Sequence, residues 1–382
     1  MDGSVTVTDP KGPTTNLSVE LYSPPASAPN APQWYALSNS TGGDLTAIAA
    51  ATNSLGTAVT VNNSPSALAI SPNAQFAYIT TSGNSGLTVI ALSSMTVQAS
   101  VTVGSTPKAV AVSPSGAMVY TANYNGASVS VYSVAAVAVV ATISLPSGAY
   151  PTSIAVSPQG TFIYVVDFYG HVYVIDAATN AVTATISTGA LQTYAGAFSP
   201  DGSFFYVSGF ISGYNTIFVI NTTTNAVVTT ITTTFSSGGE VGIGSSVAVT
   251  SAGDFVYVGI MFSGAIVAVE TATWTIAATI LLPTSNSAEP QSLAMSPSGN
   301  YMYVGTHSTN YAGYVISTAT NKIVDTVVPA SDLAQSLSYV AAVPAAANGG
   351  AGSQISLVGP QVSGGTLAGV IAGLVALGLF TS

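Results

Sequence analysis

Cysteine and arginine are absent from this sequence, and lysine occurs only as Lys11, Lys108 and Lys322. Without cysteine there are no disulfides, thiolate metal sites or thiol redox motifs. With so few basic residues no patch can neutralise phosphates, so nucleic acid is excluded as a partner and the charge argues against an anionic membrane surface. Charge of either sign is scarce: 4% of residues carry it, against about 25% in ordinary soluble domains. The formal net charge of −10 comes from thirteen acids, and the exposed surface must be built from Ser, Thr, Asn, Gly and Tyr. Such a surface stays hydrated when carboxylates are protonated, which points to an acidic, thermoacidophile-like exterior. Neither a positive n-region nor an apolar h-region follows Met1, so no secretory signal is expected there. Nucleophile-elbow, zinc-protease, P-loop and dinucleotide motifs are missing too.

What the chain does contain is a repeat, and its 382 residues at 48% hydrophobic content supply a sizeable core. The clearest unit is SPQGTFIYVVDFYGHVYVIDAATNAVTATI, residues 157–186. Its β-branched and aromatic runs alternate as strands, and Pro, Gly, Asn and Asp mark the breaks. The opening turn recurs at Ser71, Ser113, Ser157, Ser199, Thr250 and Ser296, mostly 42 to 46 residues apart with one interval of 51. Each turn is followed by a strand such as FAYIT, MVYTA or FFYVS, and a small-residue strand such as ALAIS or AVAVS precedes it. Four short strands at this period predict propeller blades, with the small-residue strand innermost.

The unit YVVDFYGHVYVIDAATNAVTATI resembles the YVTN repeat, in which Y-V-T-N is followed by V-x-V-I-D-x-x-T-N-x-V-x-x-T-I. The resemblance covers residues 33–344 and implies a seven-bladed β-propeller similar to archaeal surface-layer proteins and, more distantly, to lactonase-like and quinoprotein-type propellers. The first motif Asn is kept as Asn123 and becomes Asp167, while Thr81, Gly209, Ile260 and Thr306 hold that place elsewhere. QWYALS near the start lacks an inner partner and SLSYVAAVP near the end lacks an outer one, so the two termini are expected to complete one blade and close the ring.

The domain plan is an N-terminal extended arm (1–32), the propeller (33–344), a Gly/Ala/Ser-rich linker (345–362) and a C-terminal apolar segment (363–382). The last is expected to be a helix that anchors in a membrane or packs in a homo-oligomer. Its contact residues would be Leu367, Gly369, Val370, Ile371, Gly373, Leu374, Val375, Leu377, Leu379 and Phe380. Sequons at Asn16, Asn39, Asn62 and Asn221 are glycosylation candidates.

Chemistry in a propeller is expected where inner strands open onto the channel. The residues leading into them are Ser66, Lys108, Thr152, Tyr194, Ser245, Gln291 and Leu337, with no converging acids or histidines. No catalytic residue, metal site or cofactor is therefore expected, and the chain is read as not an enzyme. His171 lies beside Asp167 in sequence, where it could make a structural hydrogen bond or, with Asp176, hold a metal. The loops on one face are rich in aromatics, giving a candidate binding face of Tyr124, Phe168, Tyr169, Phe210, Tyr214, Phe262, His307 and Tyr311, the same residues being equally able to cap the blade cores. The expectation is a non-enzymatic propeller displayed on a cell envelope or virion, contacting neighbouring envelope or virion proteins, copies of itself, or a glycan or receptor. The alternative is a lactonase-like or quinoprotein-like enzyme with a channel site.

Overall fold

A computed structural model describes residues 33–38, 43–49, 53–61, 64–236, 244–260, 263–283, 289–307, 313–327 and 337–342. The N-terminal arm, the linker and the apolar segment 363–382 with its expected helix lie outside them. The described residues form twenty-eight strands, numbered β1 to β28 in chain order, in seven four-stranded antiparallel sheets. The architecture is an all-β seven-bladed propeller. Blade 4 shows the plan: inner strand β12 (Pro151–Val156), then β13 (Phe162–Asp167), β14 (His171–Asp176) and outer strand β15 (Ala181–Ser187).

The other inner strands are β4 (Pro65–Ile70), β8 (Pro107–Val112), β16 (Gln192–Phe198), β20 (Gly244–Val249), β24 (Glu289–Met295) and β28 (Leu337–Ala342). Each lies beside the next, and β28 lies beside β4, so the inner strands form a closed ring. Closure comes from both ends of the chain, as the sequence predicts: blade 1 is ordered β28, β1 (Gln33–Ser38), β2 (Asp44–Ala49), β3 (Ser54–Thr60). This leaves no open edge around the ring.

Seven hydrophobic clusters hold the blades face to face, each made by two neighbouring blades. Between blades 3 and 4, for example, Tyr120, Val129 and Ile143 meet Ile154, Ile163 and Tyr173. The second and third strands are buried on both faces, while the outermost strands alternate exposed and half-buried residues. The recurrent turn has one mechanism. The Ser or Thr hydroxyl accepts from the amide five residues on, at 2.9–3.0 Å in all six blades that carry it. The fourth turn residue is left-handed, which explains glycine in five of the six.

Candidate functional site

Every inner strand carries a β-bulge at its second or third residue. Pro107 pairs with Asn123 and Ala109 with Ala122, leaving Lys108 as the extra residue. The same register shift singles out Ser66, Thr152, Tyr194, Ser245 and Gln291. In blade 1 the shift falls on Ser338, not on Leu337 as the sequence suggests, because Leu37 pairs with Tyr339 and Ser38 with Leu337. A bulge frees a side chain from the pleat and re-aims it. Two of the freed residues join neighbouring blades: the Ser66 hydroxyl donates to Pro107 O (2.6 Å) and that of Thr152 to Thr193 O (3.4 Å). Lys108 is exposed and Tyr194 half-buried at this rim of the channel.

Around those two residues, on blades 3 to 5, the loop aromatics form one continuous group. Lys108 Nζ lies 5.7 Å from the centre of the Tyr124 ring. Tyr124 meets Tyr150 at 5.1 Å between ring centres, Tyr150 meets Tyr169 at 5.7 Å, Tyr169 meets Phe168 at 5.2 Å, and Phe168 meets Tyr194 at 5.6 Å. Burial first, then the neighbouring Tyr169, Tyr150 and Asp167, pushes the Tyr124 hydroxyl pKa up. Burial, with Tyr124 second, pushes that of Tyr194 up to about 12. Both phenols remain hydrogen-bond donors at neutral pH.

Beneath the aromatics lies Asp167, 1% exposed. Its carboxylate accepts from the Tyr150 amide (2.6 Å) and meets His171 Nδ1 at 3.3 Å, while the Thr193 hydroxyl donates to its carbonyl. The His171 side chain is 42% exposed, so the pair consists of a buried carboxylate and an accessible imidazole. The turn that joins them needs Gly170: its φ is 83°, and a Cβ would sit 2.5 Å from Ala190 O. Asp176, the other acid considered for His171, is at the far end of β14, where it accepts from Ala178 and Thr179. Among the described residues no three of His, Asp and Glu converge.

Of the expected binding face, Tyr124, Phe168 and Tyr169 belong to this group. Phe210 and Tyr214 do not sit on a loop: β17 (Phe204–Ile211) and β18 (Tyr214–Asn221) run through them to a two-residue turn, Ser212–Gly213, with φ of 52° and 92°. Left-handed φ at both central residues matches the tight hairpin geometry that strand twist favours, which the aromatic content of GFISGY concealed. His307 ends β25 (Tyr301–His307) opposite Glu289, and Phe262 and Tyr311 lie outside the described residues. Sequence reasoning missed Tyr150 and Tyr194 as members; their signal was an aromatic immediately before, or at the third position of, an inner strand. Of the sequons, only Asn221 is described, and its side-chain oxygen accepts from Thr223 and Thr224 as the cap of a hairpin turn.

The fold and this rim site define a seven-bladed propeller with a continuous aromatic and polar group beside the starts of its inner strands on blades 3 to 5. The chain belongs to the family described as "Lactonase, 7-bladed beta-propeller", whose model matches residues 38–331. That finding overturns the expectation that the chain is not an enzyme: the family is an enzymatic one. The expectation rested on the absence of a local motif and of a converging metal set, and neither absence excludes a site that the fold assembles, such as the Asp167–His171 pair. No curated protein sequence matches the chain. Among solved structures, a functionally unknown protein from Desulfotomaculum acetoxidans DSM 771 is similar at 16% identity and a TM-score of 0.67, over 82% of this chain and 99% of that one. Kuenenia stuttgartiensis hydrazine synthase is similar at 22% identity and TM-score 0.59 (66% and 76% covered), and the dihydro-heme d1 dehydrogenase NirN at 15% and 0.58 (80% and 65%). At these identities the likeness is one of fold.

Proposed function

We propose that the protein hydrolyses a cyclic ester at the rim site of blades 3 to 5. The observation that carries this reading is the Asp167–His171 pair, a buried carboxylate against an accessible imidazole beside the aromatic wall, in a chain of the lactonase family. Asp167 orients the ring through Nδ1, leaving Nε2 to accept a proton from water as its oxygen attacks the lactone carbonyl. The Lys108 ammonium offsets the charge of the resulting oxyanion. The carbon–oxygen ring bond then breaks, and the imidazolium returns its proton to the leaving alkoxide. Tyr124, Tyr150 and Tyr169 supply flat faces and hydroxyls for a ring-shaped polar substrate.

The test uses the full chain on a panel of sugar δ-lactones, following acid release. Hydrolysis well above the spontaneous rate is expected, and His171→Ala should lower kcat about 100-fold or more, the usual contribution of a general base. Lys108→Met should lower it by about tenfold or more with KM little changed. Activity that survives His171→Ala, or no rate above background with any lactone, sinks the proposal.

We also infer an exterior setting, with the propeller held to an envelope or virion through residues 363–382 and in contact with neighbouring proteins or glycans there. Support comes from the near-uncharged surface and the apolar end of the sequence. A YVTN-type, surface-layer-like ancestry is the matching reading of the repeat. Deleting residues 345–382 should leave the propeller folded and release it from the membrane or particle fraction. If the shortened chain still sediments with that fraction, the anchor reading fails.

A further inference from the structure

On the face opposite the rim site, blades 5 and 6 enclose a cleft of about 300 Å³, the lower end of the size range of small-ligand sites. It is formed by the opening turn of blade 5, with Ser199 and Asp201, the start of β17, with Phe204 and Tyr206, and the hairpin turn of blade 6, with Trp274. This cleft marks a departure from the repeat. The last residue of each such hairpin turn is left-handed, and Asn53, Asn180, Asn225 and Asn321 fill the place in four blades, as suits a short polar side chain. Two of these asparagines latch the preceding blade: Tyr164 Oη donates to Asn225 (2.5 Å) and Tyr257 Oη to Asn321 (2.7 Å). The equivalent partner of Tyr206 is Trp274, held at φ 57°, a conformation that a bulky side chain rarely adopts. Met95 and Val137 show that the place tolerates other residues, and Trp274 uses it to line a cleft.

The substitution exchanges a hydrogen bond for an aromatic corner. Trp274 meets Phe204 at 5.3 Å and 75° between ring planes, and Tyr206 at 6.0 Å and 54°. Asp201 supplies the charge: its carboxylate accepts from the Ser199 hydroxyl (2.5 Å) and the Ser203 amide (3.0 Å), bonds that favour the ionised form. Among the described residues the single ion pair is Asp167–His171, so neither Lys108 nor Lys322 pairs with Asp201. We propose that this cleft is a second binding site, for a small organic cation of the alkylammonium type, its charged head against Trp274, Phe204 and Tyr206 and balanced by Asp201. Tryptophan is the aromatic ring that holds cations best, and a chain with thirteen acids and three lysines draws cations in.

The test is calorimetric titration of the full chain with tetramethylammonium and choline, against uncharged 3,3-dimethylbutan-1-ol and N-acetylglucosamine. Saturable binding of both cations is expected, at least about tenfold tighter than either neutral compound. Of the two tryptophans Trp34 is fully buried, so a fluorescence change on binding reports Trp274. Trp274→Asn and Asp201→Asn should each weaken binding about tenfold while lactone hydrolysis is unchanged, which separates this site from the rim site. Trp274→Asn restores the residue of the repeat and should fold; should it not, Trp274→Phe, with a weaker ring face, is expected to weaken binding several-fold. Equal binding of the neutral compounds, unchanged affinity in the variants, or no binding of either cation overturns the proposal.

Discussion

At the residue scale, the second asparagine of the repeat earns its place through geometry and partner together. It closes the outer hairpin with a left-handed backbone and, in blades 5 and 7, accepts a buried tyrosine hydroxyl from the blade before. The sequence displayed the T-N pair plainly; what it could not display was that the partner is a tyrosine about 60 residues earlier, since that pairing exists only once blades stack. Tyr206 differs from Tyr164 and Tyr257, because its ring packs against Trp274 where theirs meet asparagines. Tyr164→Phe and Tyr257→Phe should therefore each lower stability by about 1 kcal/mol, the net value of one such hydrogen bond. Tyr206→Phe should change it little. Thermal melting checks this, and an equal loss in all three variants would show that the asparagine latch contributes nothing particular.

At the element scale, the four-strand period was legible because each strand is bounded by its own turn chemistry, and the closure of blade 1 followed from the unmatched strands at the two ends. The bulges were not legible. Lys108 and Tyr194 were recognised as leading into inner strands, but nothing in PKAVAV or TYAGAF distinguishes a regular strand from one with an extra residue; that depends on the partner strand. This is also why Ser338 displaced Leu337. The outer strands carry bulges as well: Val140 and Val228 are extra residues against β10 (Ser128–Ser133) and β18, and both are exposed. Bulged edges resist pairing with other chains, which protects seven outer strands that have almost no charge to do so. Because ring closure rests on β28, deletion of residues 332–382 should abolish the cooperative melt or drive the chain into oligomers. Deletion of 345–382, which spares β28, should do neither. A sharp, unshifted melt after the longer deletion would mean that the β28–β1 pairing is dispensable.

At the scale of the whole molecule, the scarcity of charge sets how the fold answers to pH. In most proteins acid exposes many arginines and lysines to one another; here full protonation leaves only three lysines and two histidines charged among the side chains. Among the described residues three carboxylates have lowered pKa values: Asp176, through the Thr179 amide and hydroxyl, Asp201, through Ser199 and Ser203, and Asp325, through Asn53 and the Thr326 amide. Their stabilisation is present above the ordinary aspartate value of about 4 and fades as pH falls through their lower folded values. All three are solvent-facing, so that loss is small. Alkali acts in the opposite direction and on more groups. Burial pushes Tyr78, Tyr164, Tyr173, Tyr194, Tyr206 and Tyr257 up to about 12. A raised phenol contributes stability in full below its unfolded value of about 10, and loses it as pH climbs to the folded value. The melting temperature should therefore change little between neutral pH and about pH 2, and fall steeply between about pH 10 and 12, together with the rise of tyrosinate absorbance. Acid unfolding before alkaline unfolding would refute this ordering and move the weight of stability from the buried tyrosines to the carboxylates.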